Sequence, residues 1–420
     1  MKAIFNIPDS LENKITWYQL VAFVILLPFD RFYTELVLIS LLLHTLIHID
    51  RPGLRSLLTT KNIVLSSVFL LALAGTIYTS DTKEAFKDMQ RQLAIILFPV
   101  IFSLCRLNMA QYKTSILKFF GFTCVGVVLY LYADAIRILL YNKLSLETLF
   151  SMAFINHNFS EPLGLHATYL SMYVALSVAA FSYFFFGEKR NNYRLLYVAS
   201  IIVLLAGLLQ LASRSVLLAT VILIVVGFPL LLITGIRRWK FILVAILILL
   251  VALAGIIKVD SFKKRYVSEL KNDLTQTSIN DEILEPRMQR WHYAVQLIKQ
   301  SPVIGHGSGS EKRLLKEEYF NNKLYNSYLH ELNAHNQYLS ISLKTGVIGL
   351  IIFLLTLLYG FAIAWKNRDI VFAAFMIIIS IVSFSENILD VNKGIFFYAF
   401  FFSLFVYSSK PFGRLKRLIS

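Results

Sequence analysis

Apolar residues come in long runs along this chain, separated by short polar breaks. About 20 consecutive apolar residues cross a bilayer as a helix. By that measure the sequence predicts twelve spans, near 15–28, 34–49, 61–78, 92–107, 114–140, 164–186, 193–212, 215–234, 239–258, 337–365, 369–389 and 393–409. The second and fourth are short. The run from Tyr193 to Thr234 is too long for one crossing, so a tight turn is placed at Ser213-Arg214-Ser215, its strongest polar break.

One stretch departs from the pattern. Val259 to Asn336 is polar over nearly eighty residues. Spans need only short connections, so a long polar insertion is where chemistry is sought. Inside it, Arg287 to Gln300 reads as a helix with Trp291, Ala294, Val295 and Ile298 on one face. Pro286 suits the entry to its first turn, and Ser301-Pro302 ends it. Glu311 to Tyr328 reads as a second, amphipathic helix, whereas Val267 to Leu284 shows no clear period. The expected fold is therefore all-α and polytopic. Its parts are a nine-span membrane domain (1–258), an extracytoplasmic loop (259–336) and a three-span membrane domain with a basic tail (337–420).

Composition agrees: 57% of residues are hydrophobic and 16% charged, where a soluble chain carries about 25% charged residues. The net charge of +16 belongs to loop bias rather than to nucleic-acid binding. One set of alternate loops holds Arg51, Arg55 and Lys61; Arg106 and Lys113; Lys189, Arg190 and Arg194; Arg237, Arg238 and Lys240; Lys366 and Arg368. The opposite loops mix signs, as in Asp81, Lys83, Glu84, Lys87, Asp88 and Arg91. Both termini are thus expected in the cytoplasm, with the first span as an uncleaved signal anchor. Arg214, the long insertion and the turn at Glu386 then share the extracytoplasmic side. No ATP is present there, so the chemistry needs a substrate delivered already activated. Cys105 and Cys124 sit in apolar runs and suggest no disulfide framework.

Each candidate for chemistry has a plainer reading beside it. Arg214 is either an arginine snorkelling to the interface or an anion ligand, since a guanidinium fork suits phosphate oxygens. Arg287 and Arg290, three apart, form either a solvated face beside Glu285 or a second phosphate clamp. Gly305-x-Gly307-x-Gly309 lacks the Gly-Lys-Ser/Thr of a phosphate loop and reads as a tight turn; His306 within it reads as incidental. His335 is either an interfacial histidine or a general base. Gly346 and Gly349 are placed to bend the segment after it. Glu386 and Asp390 are turn residues, or they orient His335 or bind acceptor hydroxyls. His166 and Tyr169, one turn apart at the outer end of the sixth span, are candidate substrate contacts, with His157 nearby. His44 with His48, and Asp134 with Arg137, read as structural. No metal-ligand spacing occurs, and no metal or cofactor is expected.

These residues resemble the O-antigen ligase and polymerase superfamily of bacterial membrane glycosyltransferases. The resemblance rests on Ser213-Arg214 in an outer hairpin and on Arg287-x-x-x-Trp291 followed by Pro302 and the three glycines. It rests also on His335-Asn336-x-x-Leu339 with Gly346 and Gly349, and on Glu386 before the last span. His166-x-x-Tyr169 is similar to a stretch in some members. The first 150 residues match only as spans. The resemblance implies a helical, multi-pass protein of the bacterial inner membrane that works without metal. It implies a donor glycan on undecaprenyl diphosphate and an acceptor that is lipid A-core, for a ligase, or another carrier-linked glycan, for a polymerase. Membrane lipid surrounds both. Arg214 and Arg287 would then bind the diphosphate and His335 the acceptor hydroxyl, with Arg290, Glu386, His166, Tyr169 and Asn336 as further substrate contacts. Arg287 has the family's usual spacing and is favoured over Arg290. Two long outer loops would favour a polymerase, and this chain has one long loop and one of about 23 residues at 141–163; the motifs are shared by ligases and polymerases. A twelve-span transporter is the reading from another class, and the insertion between spans nine and ten breaks the two-fold symmetry that transporters often show.

Overall fold

In the computed structural model, residues 7–49, 55–233, 235–274 and 287–409 are described. Among them every regular element is a helix. Each of the twelve apolar runs is helical, the eighth continuing past Ile222 through a π-turn at Leu223–Gly227 into Phe228–Leu232. They are α1 (Leu11–Leu26), α2 (Arg31–Ile47), α3 (Thr60–Gly75), α4 (Thr82–Leu104), α5 (Met109–Tyr141), α6 (Ala167–Gly187), α7 (Asn191–Leu211), α8 (Arg214–Ile222) and α9 (Ile236–Ile257). The insertion holds α10 (Arg287–Gln300), α11 (Ser310–Asn321) and α12 (Tyr325–Leu329), and the chain closes with α13 (Gln337–Asn367), α14 (Ile370–Val382) and α15 (Asn392–Ser408). Short polar side chains start several of them. Ser10, Asp30, Asn108, Asn336 and Asp369 each accept a backbone N–H of the first turn, which satisfies donors that have no partner inside a helix.

Among the described residues, five helical stretches are long and apolar enough to cross a membrane: Met109–Tyr141, Ala167–Gly187, Asn191–Leu211, Arg214–Leu231 and Gln337–Asn367. Thr60–Gly75 and Ile370–Val382 are apolar but shorter. Several large side chains on these helices face outward, among them Ile202 (62% exposed), Leu355 (57%) and Leu358 (60%). Apolar surface on this scale fits lipid better than water.

The centre is aromatic. α6, α14 and α15 are buried along most of their length, and α4, α5 and α1 close around them. Phe372 stacks on Phe405 with centroids 5.0 Å apart, and Phe23 stacks on Phe400 at 5.0 Å. Asp134 pairs with Arg137 at 2.7 Å, the structural pair expected there, and His48 Nδ1 meets the His44 carbonyl at 2.8 Å.

The insertion has a core of its own. Ala294 and Leu297 of α10 pack with Leu315 and Tyr319 of α11, with Leu324 and Ala334, and with Leu343 of α13. The helix predicted at 287–300 forms with those bounds, but its buried face is Arg290, Ala294 and Leu297. Val295 is exposed, because α10 turns its Leu297 side toward α13. The second predicted helix is interrupted: α11 ends at Asn321, and α12 starts at Tyr325 after Lys323, whose φ is 61°. Segment 267–284, expected to lack a period, begins with the end of a π-turn at Lys264–Ser268 and the helix Glu269–Leu274. The pairing expected of Glu285, the entry at Pro286 and the basic tail lie outside the described residues.

The glycine triplet seats this insertion on the bundle. Gly305, Gly307 and Gly309 all have positive φ, and so does Gly346, which breaks α13. The break frees carbonyls that the glycine loop uses: His306 N–H donates to Leu343 O at 2.9 Å and Gly307 N–H to Lys344 O at 2.9 Å. In return Val347 N–H donates to Pro302 O at 2.8 Å. His306 Nε2 meets the Leu297 carbonyl at 2.8 Å, a structural contact at a residue that reads as incidental in the sequence.

Candidate active site

The ends of α6, α7, α8, α13 and α14 meet the insertion at one end of the bundle, around a cavity of about 850 Å³. Its polar lining includes His157, His166, Arg214, Arg265, Arg287, His335 and Glu386. Five of these residues were singled out in the sequence from positions up to 220 residues apart (His166 to Glu386).

Each is positioned by a local device. α7 ends at Ala212 with φ 46°, and Ser213 starts α8, so Arg214 is the first residue of a new helix. This is the tight turn expected at 213–215. Amide groups in a first turn lack partners inside the helix and, with the helix dipole, favour an anion. Ser213, Arg214 and Ser215 all line the cavity. Arg287 is the first residue of α10, and its guanidinium donates to Ser385 O at 3.2 Å. The neighbouring Trp291 donates from Nε1 to Ala334 O at 2.9 Å, which ties α10 to the residue before His335.

His335 has φ 46°, a left-handed conformation that a residue with a Cβ adopts at a cost of about 1–2 kcal/mol. Its Nδ1 lies 3.3 Å from Glu386 Oε2. Glu386 is 8% exposed. Burial works against its charge, but the hydrogen bond and charge of His335, with the charges of His166 and Arg287, outweigh it and hold the carboxyl below its ordinary value. A carboxylate on Nδ1 keeps a proton there and leaves Nε2 to act as the base.

His166 starts α6, with Nδ1 accepting from Thr168 N–H at 3.4 Å. Its ring lies 4.0 Å from that of His157 and 5.6 Å from that of Tyr169. Residues packed around it exclude water, and this lowers it to about 4; Glu386 opposes the shift, while His157, His335 and Arg287 reinforce it. His166 is therefore a neutral hydrogen-bonding group at neutral pH. Burial and the nearby Arg265 also lower His157.

Three expected contacts are not in the lining. Arg290 is 7% exposed and points into the α10 core face. Tyr169 is 4% exposed, beneath His166. Asn336 uses its side chain to cap α13, accepting from Tyr338 N–H and Leu339 N–H. Arg265 is the residue that sequence reasoning missed. It stands in the run Lys263-Lys264-Arg265, which reads as a solvated basic stretch. A π-turn at 264–268 carries it back to the cavity, where it pairs with Glu269 and donates from Nε to Ala212 O at 3.4 Å. The π-turn, often found at functional sites, is not legible in the sequence.

Three guanidinium groups around one cavity suit a ligand with several negative charges. The same wall carries Leu218, Trp291, Ile381 and Phe384, which suits a ligand with an apolar part. A histidine held by a carboxylate, as His335 is by Glu386, is an arrangement that can take up a proton.

Residues 199–354 match the family model described as O-Antigen ligase. Over that segment the chain is similar to the O-antigen ligase family. It includes Arg214, Arg265, Arg287 and His335 and leaves His157, His166 and Glu386 outside. An uncharacterized protein of Haemophilus influenzae is 27% identical over 245 residues, which is 54% of this chain. The chain spans about 60% of the length of that relative.

Proposed function

We propose that this chain, with its O-antigen ligase domain, is a membrane glycosyltransferase. It moves a glycan from undecaprenyl diphosphate to lipid A-core on the outer face of the bacterial inner membrane. The observation that carries the reading is the convergence of Arg214, Arg265 and Arg287 with the His335–Glu386 pair on one cavity. The twelve apolar runs are its spans, both termini are cytoplasmic, and residues 259–336 form a periplasmic loop.

The chemistry follows from the charges. The acceptor hydroxyl oxygen attacks the anomeric carbon while the bond from that carbon to the diphosphate oxygen breaks. Negative charge develops on the departing diphosphate, and fixed guanidinium groups stabilise it most at that moment. His335 Nε2 takes the hydroxyl proton, and Glu386 stabilises the imidazolium that results. Undecaprenyl diphosphate leaves, and a single displacement inverts the anomeric centre. The apolar wall receives the start of the isoprenoid chain. No step requires a metal, because the arginines supply the positive charge.

The test is transfer by purified protein in lipid, given undecaprenyl-diphosphate-linked glycan with lipid A-core, EDTA and no nucleotide. The expected result is a shift of the lipid A-core band. Arg287→Ala should lower the rate by about 10²–10³-fold, and His335→Ala by about 10²–10⁴-fold. A ladder of longer carrier-linked glycans made without lipid A-core would replace the ligase reading by a polymerase. Full activity of either variant at equal expression would remove that residue from the mechanism.

A further inference from the structure

Next to His335 lies a buried polar cluster, outside the lining of the cavity, that the reaction above does not use. Glu311 of α11 is 3% exposed and Asn387, in the turn after α14, is 2% exposed. Glu311 Oε1 accepts from Ala334 N–H at 3.1 Å and from Asn387 Nδ2 at 3.2 Å. Its Oε2 faces Lys344 Nζ at 3.2 Å and the Ser340 hydroxyl. Asn387 Oδ1 accepts from Asn336 N–H at 2.8 Å, and Asn333 Oδ1 accepts from His335 N–H at 2.9 Å.

Three consecutive amides, those of Ala334, His335 and Asn336, are therefore each held by a side chain, and the middle residue has the left-handed backbone. Lys344 already has Asp390 at 2.9 Å and Asp88 at 3.7 Å, so an ion pair alone does not call for a third carboxylate. A buried carboxylate is costly unless its oxygens are hydrogen-bonded. One oxygen of Glu311 is given to the peptide next to His335 and to the amide that holds the peptide after it.

We infer that Glu311, acting with Asn387 and Asn333, is a positioning residue for His335. It fixes the strained backbone of His335 and so the aim of the imidazole at the acceptor hydroxyl. The inference rests on the reading of His335 as the base. A small change in aim lowers the rate of proton transfer and leaves the arginines in place, so the turnover rate and donor binding respond separately.

The experiment compares Glu311→Ala, Glu311→Gln, Asn333→Ala and His335→Ala in the full-length protein in lipid, with kcat and donor KM measured in the transfer reaction. Glu311→Ala should lower kcat about 10²-fold, the loss that a misplacement of about 1 Å produces, with donor KM unchanged within about twofold. Glu311→Gln keeps an oxygen for Ala334 N–H, so kcat should recover to within about fivefold of wild type. Asn333 is only half-buried, so Asn333→Ala reads the same effect, about tenfold, even if Glu311→Ala does not fold. Wild-type kcat in Glu311→Ala and Asn333→Ala, with His335→Ala inactive, overturns the inference and leaves the base in place. Glu311→Gln as slow as Glu311→Ala, or a parallel loss of donor affinity, also overturns it in favour of general packing. Full activity of His335→Ala removes the base, and the inference with it.

Discussion

At the scale of single residues, the site is a contest between desolvation and charge. Glu386 is nearly buried and still holds its carboxyl below the ordinary value, because His335, His166 and Arg287 surround it. The sign of its pH effect follows. A depressed carboxyl contributes stability that is present above its unfolded value, about 4.3, and is lost as pH falls through the lower folded value. Wild-type protein should therefore lose melting temperature between pH 6 and pH 3 more steeply than Glu386→Gln. Equal slopes in differential scanning fluorimetry would remove the charge from this account. At pH 7 the same variant should lower kcat by about 10²-fold, since Nδ1 of His335 loses the carboxylate that orients it. The candidates at this scale were legible as residue types only. Arg214 stood out as an arginine in an apolar hairpin, and His335 as a histidine ending a polar loop. Arg287 was favoured over Arg290 on the family's spacing alone, because one helical turn of sequence does not reveal which side faces a cavity and which a core.

At the scale of elements, turns and breaks matter more than helices. Gly305 lets backbone meet backbone where α13 bends, while Gly307 and Gly309 lie against Thr79 and against the Glu84–Ala85 peptide of α4. A Cβ on Gly305 would lie 2.6 Å from the nitrogens of Thr345 and Gly346, and φ there is +69°. Gly305→Ala should cost about 1–3 kcal/mol in local strain and loosen the insertion from α13. Limited proteolysis within 287–336 should quicken while far-ultraviolet circular dichroism of the bundle stays unchanged. A wild-type cleavage rate would mean that the loop tolerates the displacement. Periodicity found α10 because an amphipathic helix of 14 residues carries its own signal. It missed the division between α11 and α12, where one residue with positive φ changes direction, and it missed the π-turn that delivers Arg265. Neither device has a repeating pattern to read.

At the scale of the whole molecule, the proposed topology places both termini in the cytoplasm and the cavity outside. Single cysteines introduced at Asn321 and at Arg190, in a background without Cys105 and Cys124, should report this in intact spheroplasts. A membrane-impermeant maleimide should label position 321 and spare position 190; the reverse would turn the protein over and take the donor side with it. The long apolar runs, the polar insertion and the resemblance to O-antigen ligases were all determined by the sequence, because hydrophobic length and loop charge act locally and leave a count along the chain. The grouping of Arg214, Arg265, Arg287, His335 and Glu386 on one cavity was decided only by tertiary structure. So were the inward turn of Arg290 and the hold of Glu311 on the peptide beside His335. Side-chain direction and long-range hydrogen bonds depend on which helices pack together, and no single stretch of sequence carries that information.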